Sequence, residues 1–185
     1  FIASSLAEHT TTLGRGGSDY SAAIYAAALD ADVLEIWTDV SGMMTADPRL
    51  VMNAKPIAQI SYQEAMELSH FGAKIIYPPT IQPVMHKRIP VWLKNTFAPE
   101  EHGTLIENYS APSEDFIRGI SSINSISLLS LEGSGMVGIP GFSKRLFEAL
   151  ANERINVILI TQSSSEHSIC VAINESDTLK AKRAI

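Results

Sequence analysis

The chain has 185 residues, 45% hydrophobic and 18% charged, which fits one folded domain or one domain plus part of another. A formal net charge of −6 and a pI near 5.3 argue against nucleic acid or an anionic membrane as the main partner, so an anionic ligand has to be held by local positive groups. A single cysteine, Cys170, excludes an intrachain disulfide, and no apolar run is long enough to span a bilayer as a helix.

No basic region leads an apolar run at the front, where Glu8 and His9 come early, so no secretory signal is legible and a cytoplasmic location is expected. The chain opens on Phe1-Ile2-Ala3 and closes on Ser176–Lys182, which reads as a helix barely begun. Both ends are therefore expected to be cuts in a longer polypeptide.

In chain order, Thr12-Leu13-Gly14-Arg15-Gly16-Gly17-Ser18-Asp19-Tyr20 comes first. Three glycines around one arginine let the backbone approach an anion closely with the guanidinium beside it, and Ser18 and Asp19 fall where a helix N-terminus offers free N–H groups. A plain glycine turn is the alternative, and Asp19 reads also as an N-cap, a task Ser18 or Ser21 could do. Ser21–Leu29 is an alanine-rich helix, apolar on nearly every face and so expected to be buried against a sheet.

Val33–Thr38 reads as a strand. Thr38 and Asp39 stand at its carboxyl end, where ligands collect in open α/β sheets and where a simple turn is an equal reading. Thr45–Arg49 is a proline-containing loop, in which Arg49 is either solvated or bound. Ser61 with Glu64 forms a capping box, and the helix it starts should end near Gly72. Lys74 beyond it either favours the helix dipole or points into a phosphate site. A shorter helical piece is expected after Pro78-Pro79, then a strand over Pro90–Asn95. Strands alternating with helices imply a layered α/β domain with a largely parallel sheet.

A polar stretch over Asn108–Asp115 interrupts the pattern, and the expected division is 1–110, a linker over 111–120, and 121–185. Beyond it come a strand at Ile126–Leu131, a turn at Gly138 and Pro140-Gly141, and a helix carrying Phe142, Leu146, Phe147 and Leu150 at helical spacing. Strands at Asn156–Thr161 and His167–Ile173 follow, then the start of a helix. That order is the split βαβ, ferredoxin-like plan short of its last strand. Gly133–Gly141 is an ordinary strand-to-helix loop or a pocket whose backbone grips a small zwitterion, with Gln162 and Ser163 at hand; the Gln162 amide both donates and accepts. Cys170 reads as a small buried hydrophobe. None of the five histidines pairs with another or with Cys170 at metal-ligand spacing, so no metal site is expected. The chain has no G-x-x-x-x-G-K-[ST] run, so a nucleotide would need another architecture.

Thr12–Ala22, Trp37-Thr38-Asp39-Val40, Thr45-Ala46-Asp47-Pro48-Arg49, Phe71-Gly72-Ala73-Lys74 and Gly103-Thr104-Leu105 together resemble the aspartate kinase family, in its order and at about its spacing. The resemblance implies an α/β fold: the carboxyl-terminal half of an amino-acid-kinase three-layer α/β/α domain, followed by a partial ACT regulatory domain of ferredoxin-like βαββαβ type. It implies phosphoryl transfer from Mg-ATP to the β-carboxylate of L-aspartate, giving 4-phospho-L-aspartate, on the way to lysine, threonine and methionine. Arg15, Ser18 and Asp19 would line the aspartate site. Asp19 would hold catalytic lysines, and Lys74 would neutralise charge on the moving phosphoryl group. Thr38, Asp39, Met44, Arg49 and Lys74 match nucleotide-binding positions, Met44 standing where many members have tyrosine. The family's lysine-glycine-glycine-threonine run is not in this sequence, so the chain alone is expected not to turn over.

Ile155–Ser168 looks closest to the bifunctional aspartokinase–homoserine dehydrogenases. Lysine-sensitive relatives have aspartate at the Ile158 position, and isoleucine cannot pair a lysine ammonium, which is costly to bury alone. The resemblance therefore points to threonine as effector, held by Gln162 with Ile160 and Asn156, and to a homodimer or higher oligomer formed through ACT domains. Alternatives are an amino-acid-sensing ACT module with the kinase half as scaffold, and a kinase for another amino acid such as glutamate.

Overall fold

A computed structural model describes residues 2–14, 16–70, 75–110, 117–162 and 167–185. The chain divides into two compact units, Phe1–Ser122 and Ile123–Ile185.

The first unit opens with an antiparallel hairpin of β1 (Ile2–Ser4) and β2 (Thr10–Thr12). There follow α1 (Gly17–Ala28), β3 (Leu34–Thr38), β4 (Gln59–Ser61), α2 (Tyr62–His70), α3 (Pro78–Lys87), β5 (Val91–Asn95) and β6 (Thr104–Glu107). The four longer-range strands form one sheet in the order β3-β5-β6-β4. Parallel pairings of β3 with β5 and of β4 with β6 flank an antiparallel pairing of β5 with β6. The short strands β1, β2, β4 and β6 carry too little periodicity to be read from the sequence.

Alternation along the strands sorts the sheet's two faces. Leu34, Ile36, Ile60, Val91, Leu93 and Ile106 are buried in one core with Ala23 and Ala26 of α1, Tyr62 and Ala65 of α2, and Ile81 and Val84 of α3. The intervening residues of β3 and β5 make a polar-aromatic cluster on the opposite face. There the Lys94 ammonium pairs with Glu35 at 2.7 Å and lies 5.3 Å from the Trp37 ring centre and 5.8 Å from that of Trp92. Deep in the core, the Tyr62 hydroxyl donates to the Ile89 carbonyl at 2.6 Å, and burial, with the Glu107 carboxylate, pushes its pKa up to about 12.

The helix expected to be buried on nearly every face is buried on one. Ala23 and Ala26 are enclosed, while Ile24 (44% exposed), Tyr25 and Leu29 face outward. The small alanines let α1 lie close to its neighbours, and the bulky residues fall on the other side of the 3.6-residue period. Beyond Pro78-Pro79 the helix starts at Pro78 itself, because a first-turn proline has no N–H to lose and its φ is already helical; α3 runs ten residues, and the expected end of the preceding helix near Gly72 lies outside the described residues.

At the start of α2 the capping box is complete: the Glu64 amide donates to Ser61 Oγ at 3.2 Å, and Ser61 returns its amide at 2.9 Å and its hydroxyl at 2.7 Å to the Glu64 carboxylate. Arg118 pairs with the same carboxylate at 3.0 Å. Burial is the largest single influence on Glu64 and pushes its pKa up, but the Ser61 hydroxyl and amide, the Ser110 hydroxyl and the Arg118 charge outweigh it and hold the group below 4.5. A depressed carboxyl pKa contributes stability that is complete above the unfolded value and lost as pH falls through the folded one. Acid unfolding of the first unit should therefore steepen below pH 4.5, and Glu64→Gln should flatten that limb in a circular-dichroism titration. Equal acid limbs would remove Glu64 from the linkage.

The second unit runs β7 (Ile126–Glu132), a 3-10 turn at Ser134–Met136, α4 (Phe142–Asn152), β8 (Val157–Gln162), β9 (Ser168–Asn174), a second 3-10 turn at Glu175–Asp177, and α5 (Thr178–Ala184). Its antiparallel sheet has the order β7-β9-β8, as a βαββα chain must to keep its crossovers on one face. Leu146 and Leu150 of α4, Ile155, Ala181 of α5, and Ile169, Val171 and Ile173 of β9 form its core. Cys170 alternates away from that core and is partly exposed, so the expected burial is incomplete. Among the described residues no helix is long and apolar enough to cross a membrane.

Candidate functional site

Three places in the structure hold the residues singled out in the sequence, two in the first unit and one in the second. In the first, the glycine loop leads into α1. Gly16 takes a left-handed φ of 73° and is the N-cap of α1, with no side chain bonded to the free N–H groups. Asp19 is thus not the cap. It sits in the first helical turn, partly exposed, and accepts from the Ser18 hydroxyl at 3.2 Å. Ser21 is not the cap either: its hydroxyl donates back to the Gly17 carbonyl at 2.8 Å. The Gly17 amide donates to the Gly14 carbonyl at 3.2 Å, while the Ser18 and Asp19 amides that follow have no side-chain cap and face the place an anion would take.

Tyr77 fixes this loop from outside. A Cβ added at Gly16 would lie 2.4 Å from Tyr77 Cβ, and the Tyr77 ring meets Tyr20 edge-on with centroids 6.5 Å apart. Arg15 and Lys74 lie outside the described residues.

The second set follows β3. Thr38 ends that strand and donates from its hydroxyl to Asp39 at 3.2 Å. The Thr38 carbonyl accepts from Thr96 N at 2.8 Å, which ties the carboxyl ends of β3 and β5 together. Met44 is half-buried and bridges to Pro56. Arg49 is exposed and bound to Asp47, at 2.7 Å through one guanidinium nitrogen and 3.0 Å through Nε. Those hydrogen bonds lower the Asp47 pKa and raise that of Arg49. A nucleotide phosphate meeting Arg49 would have to compete with that carboxylate. Among the described residues, hydrogen bonds join Ser18 to Asp19 and Thr38 to Asp39, but none joins one pair to the other.

In the second unit a cavity of about 300 Å³ opens between residues 138–143 and the sheet, with Met136, Gln162 and Ile169 completing the wall. Gly141, at φ 99°, caps α4 without a side-chain bond, so the first amides of α4 stand free beside the cavity. Among the described residues, none that lines it is charged. The expected grouping is met in part. Gln162 lines the cavity together with the end of the glycine-rich loop; Ile160 is on β8, 56% exposed, and Asn156 precedes β8, and neither lines it. Ser163 lies outside the described residues. Ile139 and Ser143 had no individual signal in the sequence, and Phe142 stood out only by its helical spacing with Leu146 and Leu150.

Residues 1–95 match the amino acid kinase family, and residues 129–185 match the ACT domain. The chain belongs to the amino acid kinase family. Among curated members, it is 47% identical over 170 residues to a bifunctional aspartokinase/homoserine dehydrogenase of Haemophilus influenzae, covering 91% of this chain and 21% of that protein. Among solved structures, Escherichia coli aspartokinase III in complex with aspartate and ADP superposes with a TM-score of 0.80 at 41% identity, over 94% of this chain and 38% of that one. The same E. coli enzyme in complex with lysine and aspartate gives 0.72 at 36% identity, over 99% of this chain and 43% of that one. The chain thus spans about a fifth of the curated relative and about two fifths of the solved ones. In this amino acid kinase family member, mixed α/β architecture with an ACT domain agrees with the fold implied by the sequence motifs.

Proposed function

We propose that the chain carries the aspartate and nucleotide sites of a cytoplasmic aspartate kinase, which transfers the γ-phosphoryl group of Mg-ATP to the β-carboxylate of L-aspartate. The product, 4-phospho-L-aspartate, opens the route to lysine, threonine and methionine. The supporting observation is the likeness, over 94% of the chain, to an aspartokinase whose solved complex holds aspartate and ADP. The uncapped start of α1 beside Ser18 and Asp19 supports an acidic substrate there, with Arg15 as the fork for its carboxylate. Thr38, Asp39, Met44 and Arg49 take the nucleotide, and Lys74 meets the transferred phosphoryl group.

Among the described residues there is no group of three His, Cys, Asp or Glu side chains that could hold a metal ion. Mg²⁺ would arrive with the nucleotide phosphates, and the exposed Asp39 carboxylate is an oxygen donor of the kind Mg²⁺ accepts. Positioning and charge stabilisation are what phosphoryl transfer asks of the protein.

The ACT unit is the feedback site, and threonine is its effector. A zwitterion's carboxylate would lie at the free amides of α4, and Gln162 would bond the hydroxyl and ammonium. The described wall, apolar apart from Gln162, Ser143 and backbone groups, suits a small neutral side chain. Pairing of ACT units makes the enzyme a dimer or larger oligomer. The chain alone, without a lysine-glycine-glycine-threonine run, is inactive.

The test is a coupled assay of aspartate-dependent ADP release by the native enzyme, with and without threonine. Activity is expected, and threonine should inhibit it. Gln162→Ala should raise the inhibitory threonine concentration about tenfold or more while leaving uninhibited turnover within twofold, the loss of one amide's bonds in a closed site. Inhibition by lysine but not threonine would reject this effector. Threonine binding with no kinase activity would favour the second reading, an ACT sensor on a kinase-like scaffold.

A further inference from the structure

We propose that Thr104 is a positioning residue for nucleotide binding: its buried hydroxyl fixes the loop between Asp39 and Arg49. The proposal rests on that loop being the nucleotide loop. Thr104 opens β6 and is fully buried. Its Oγ1 accepts from the Met43 amide at 2.8 Å and donates to the Ile57 carbonyl at 2.6 Å. Both bonds cross more than forty residues of sequence, with separations of 61 and 47, so neither is a local turn.

Around the hydroxyl the loop is fastened on both sides of Met44. The Met43 carbonyl accepts from Ile57 N at 2.7 Å, and Thr45 N donates to the Lys55 carbonyl at 2.8 Å. Gly42, at φ 113°, lies directly against Thr104; a Cβ there would come within 2.3 Å of Oγ1. Glycine is required on both counts. Met43 itself is fully buried, which turns its neighbour Met44 toward the side where the loop faces out. One hydroxyl thus sets the height of the loop above the sheet. Valine has the same shape and neither the donor nor the acceptor, so it leaves the Met43 amide and Ile57 carbonyl unpaired in the core.

The experiment compares wild type, Thr104→Val and Thr104→Ser in the native enzyme, with MgATP and aspartate varied separately. Thr104→Val is expected to raise KM for MgATP about tenfold, with KM for aspartate within twofold, and Thr104→Ser to stay within threefold of wild type for both. A purely structural role would shift both KM values together or lower only the melting temperature, and either result overturns the proposal. Should Thr104→Val not fold, the wild type decides: slower Met43 amide exchange on MgADP binding, with no such change on aspartate binding, supports the role, and exchange unmoved by MgADP rejects it. Amide exchange at Met43 separates this from the functional reading. A wild type that neither turns over nor binds MgADP refutes the kinase assignment, and with it the role proposed for Thr104. An active wild type whose Met43 amide exchanges as freely as an open loop refutes Thr104 alone.

Discussion

Replacing Lys74 by alanine in the native enzyme is expected to lower turnover roughly a hundredfold or more, with both substrates saturating. Phosphoryl transfer moves negative charge between oxygens, and a fixed ammonium near the moving group stabilises the transition state more than either ground state. The residues that follow Lys74 are well anchored. Ile76 is 2% exposed in the core, and Tyr77 packs against Gly16 of the glycine loop. The chain just after Lys74 is thereby held beside the proposed aspartate loop. Lys74→Arg keeps the charge but changes reach and shape, so it should recover only part of the loss. The decisive measurement is kcat, because an ammonium that acts mainly in the transition state shows there and not in KM. Near-normal kcat in the alanine variant would remove Lys74 from the mechanism.

Gly103→Ala is expected to be the most damaging small substitution in the first unit. Gly103 holds φ at 74°, and an added Cβ would lie 2.0 Å from the Leu93 carbonyl oxygen and 3.0 Å from its carbon. Left-handed backbone costs about 1–2 kcal/mol for an L-residue. Overpacking adds about 1–3 kcal/mol. Leu93 cannot yield, since it is fully buried on β5, a strand paired on both sides. Together these reach a large share of the ~5–15 kcal/mol that holds a domain folded. Gly14 is the control: its φ of 72° is nearly the same, but among the described residues nothing lies within 4 Å of its added Cβ. Gly14→Ala should cost the backbone strain alone. Urea denaturation should show a much larger midpoint shift for Gly103→Ala than for Gly14→Ala, and equal shifts would mean the β5–β6 contact is not as tight as described.

What could be read directly from the residues was what depends on near neighbours. The Ser61–Glu64 capping box is a four-residue exchange of hydrogen bonds, so its pattern names its geometry. The βαββα order of the second unit follows from periodicity and turn residues. The glycine-rich run before α1 marked a close approach, although the partner that makes Gly16 necessary, Tyr77, is sixty-one positions away. Family motifs carried the assignment of roles, because spacing alone left Thr38, Asp39 and Arg49 open between turn and site.

Tertiary structure decided the remainder. Asp19 could have been a cap, and the left-handed turn at Gly16 gives that place to glycine and leaves the carboxylate with Ser18. Asn156 and Ile160 share a segment with Gln162, but only Gln162 stands at the cavity, because β8 is extended and carries its residues away at about 3.3 Å each. Thr104 was a motif letter without a task until β6 brought its hydroxyl under Met43. Local hydrogen bonds and periodicities are written in consecutive residues; a burial site or a clamp is fixed only when strands distant in sequence are brought into register.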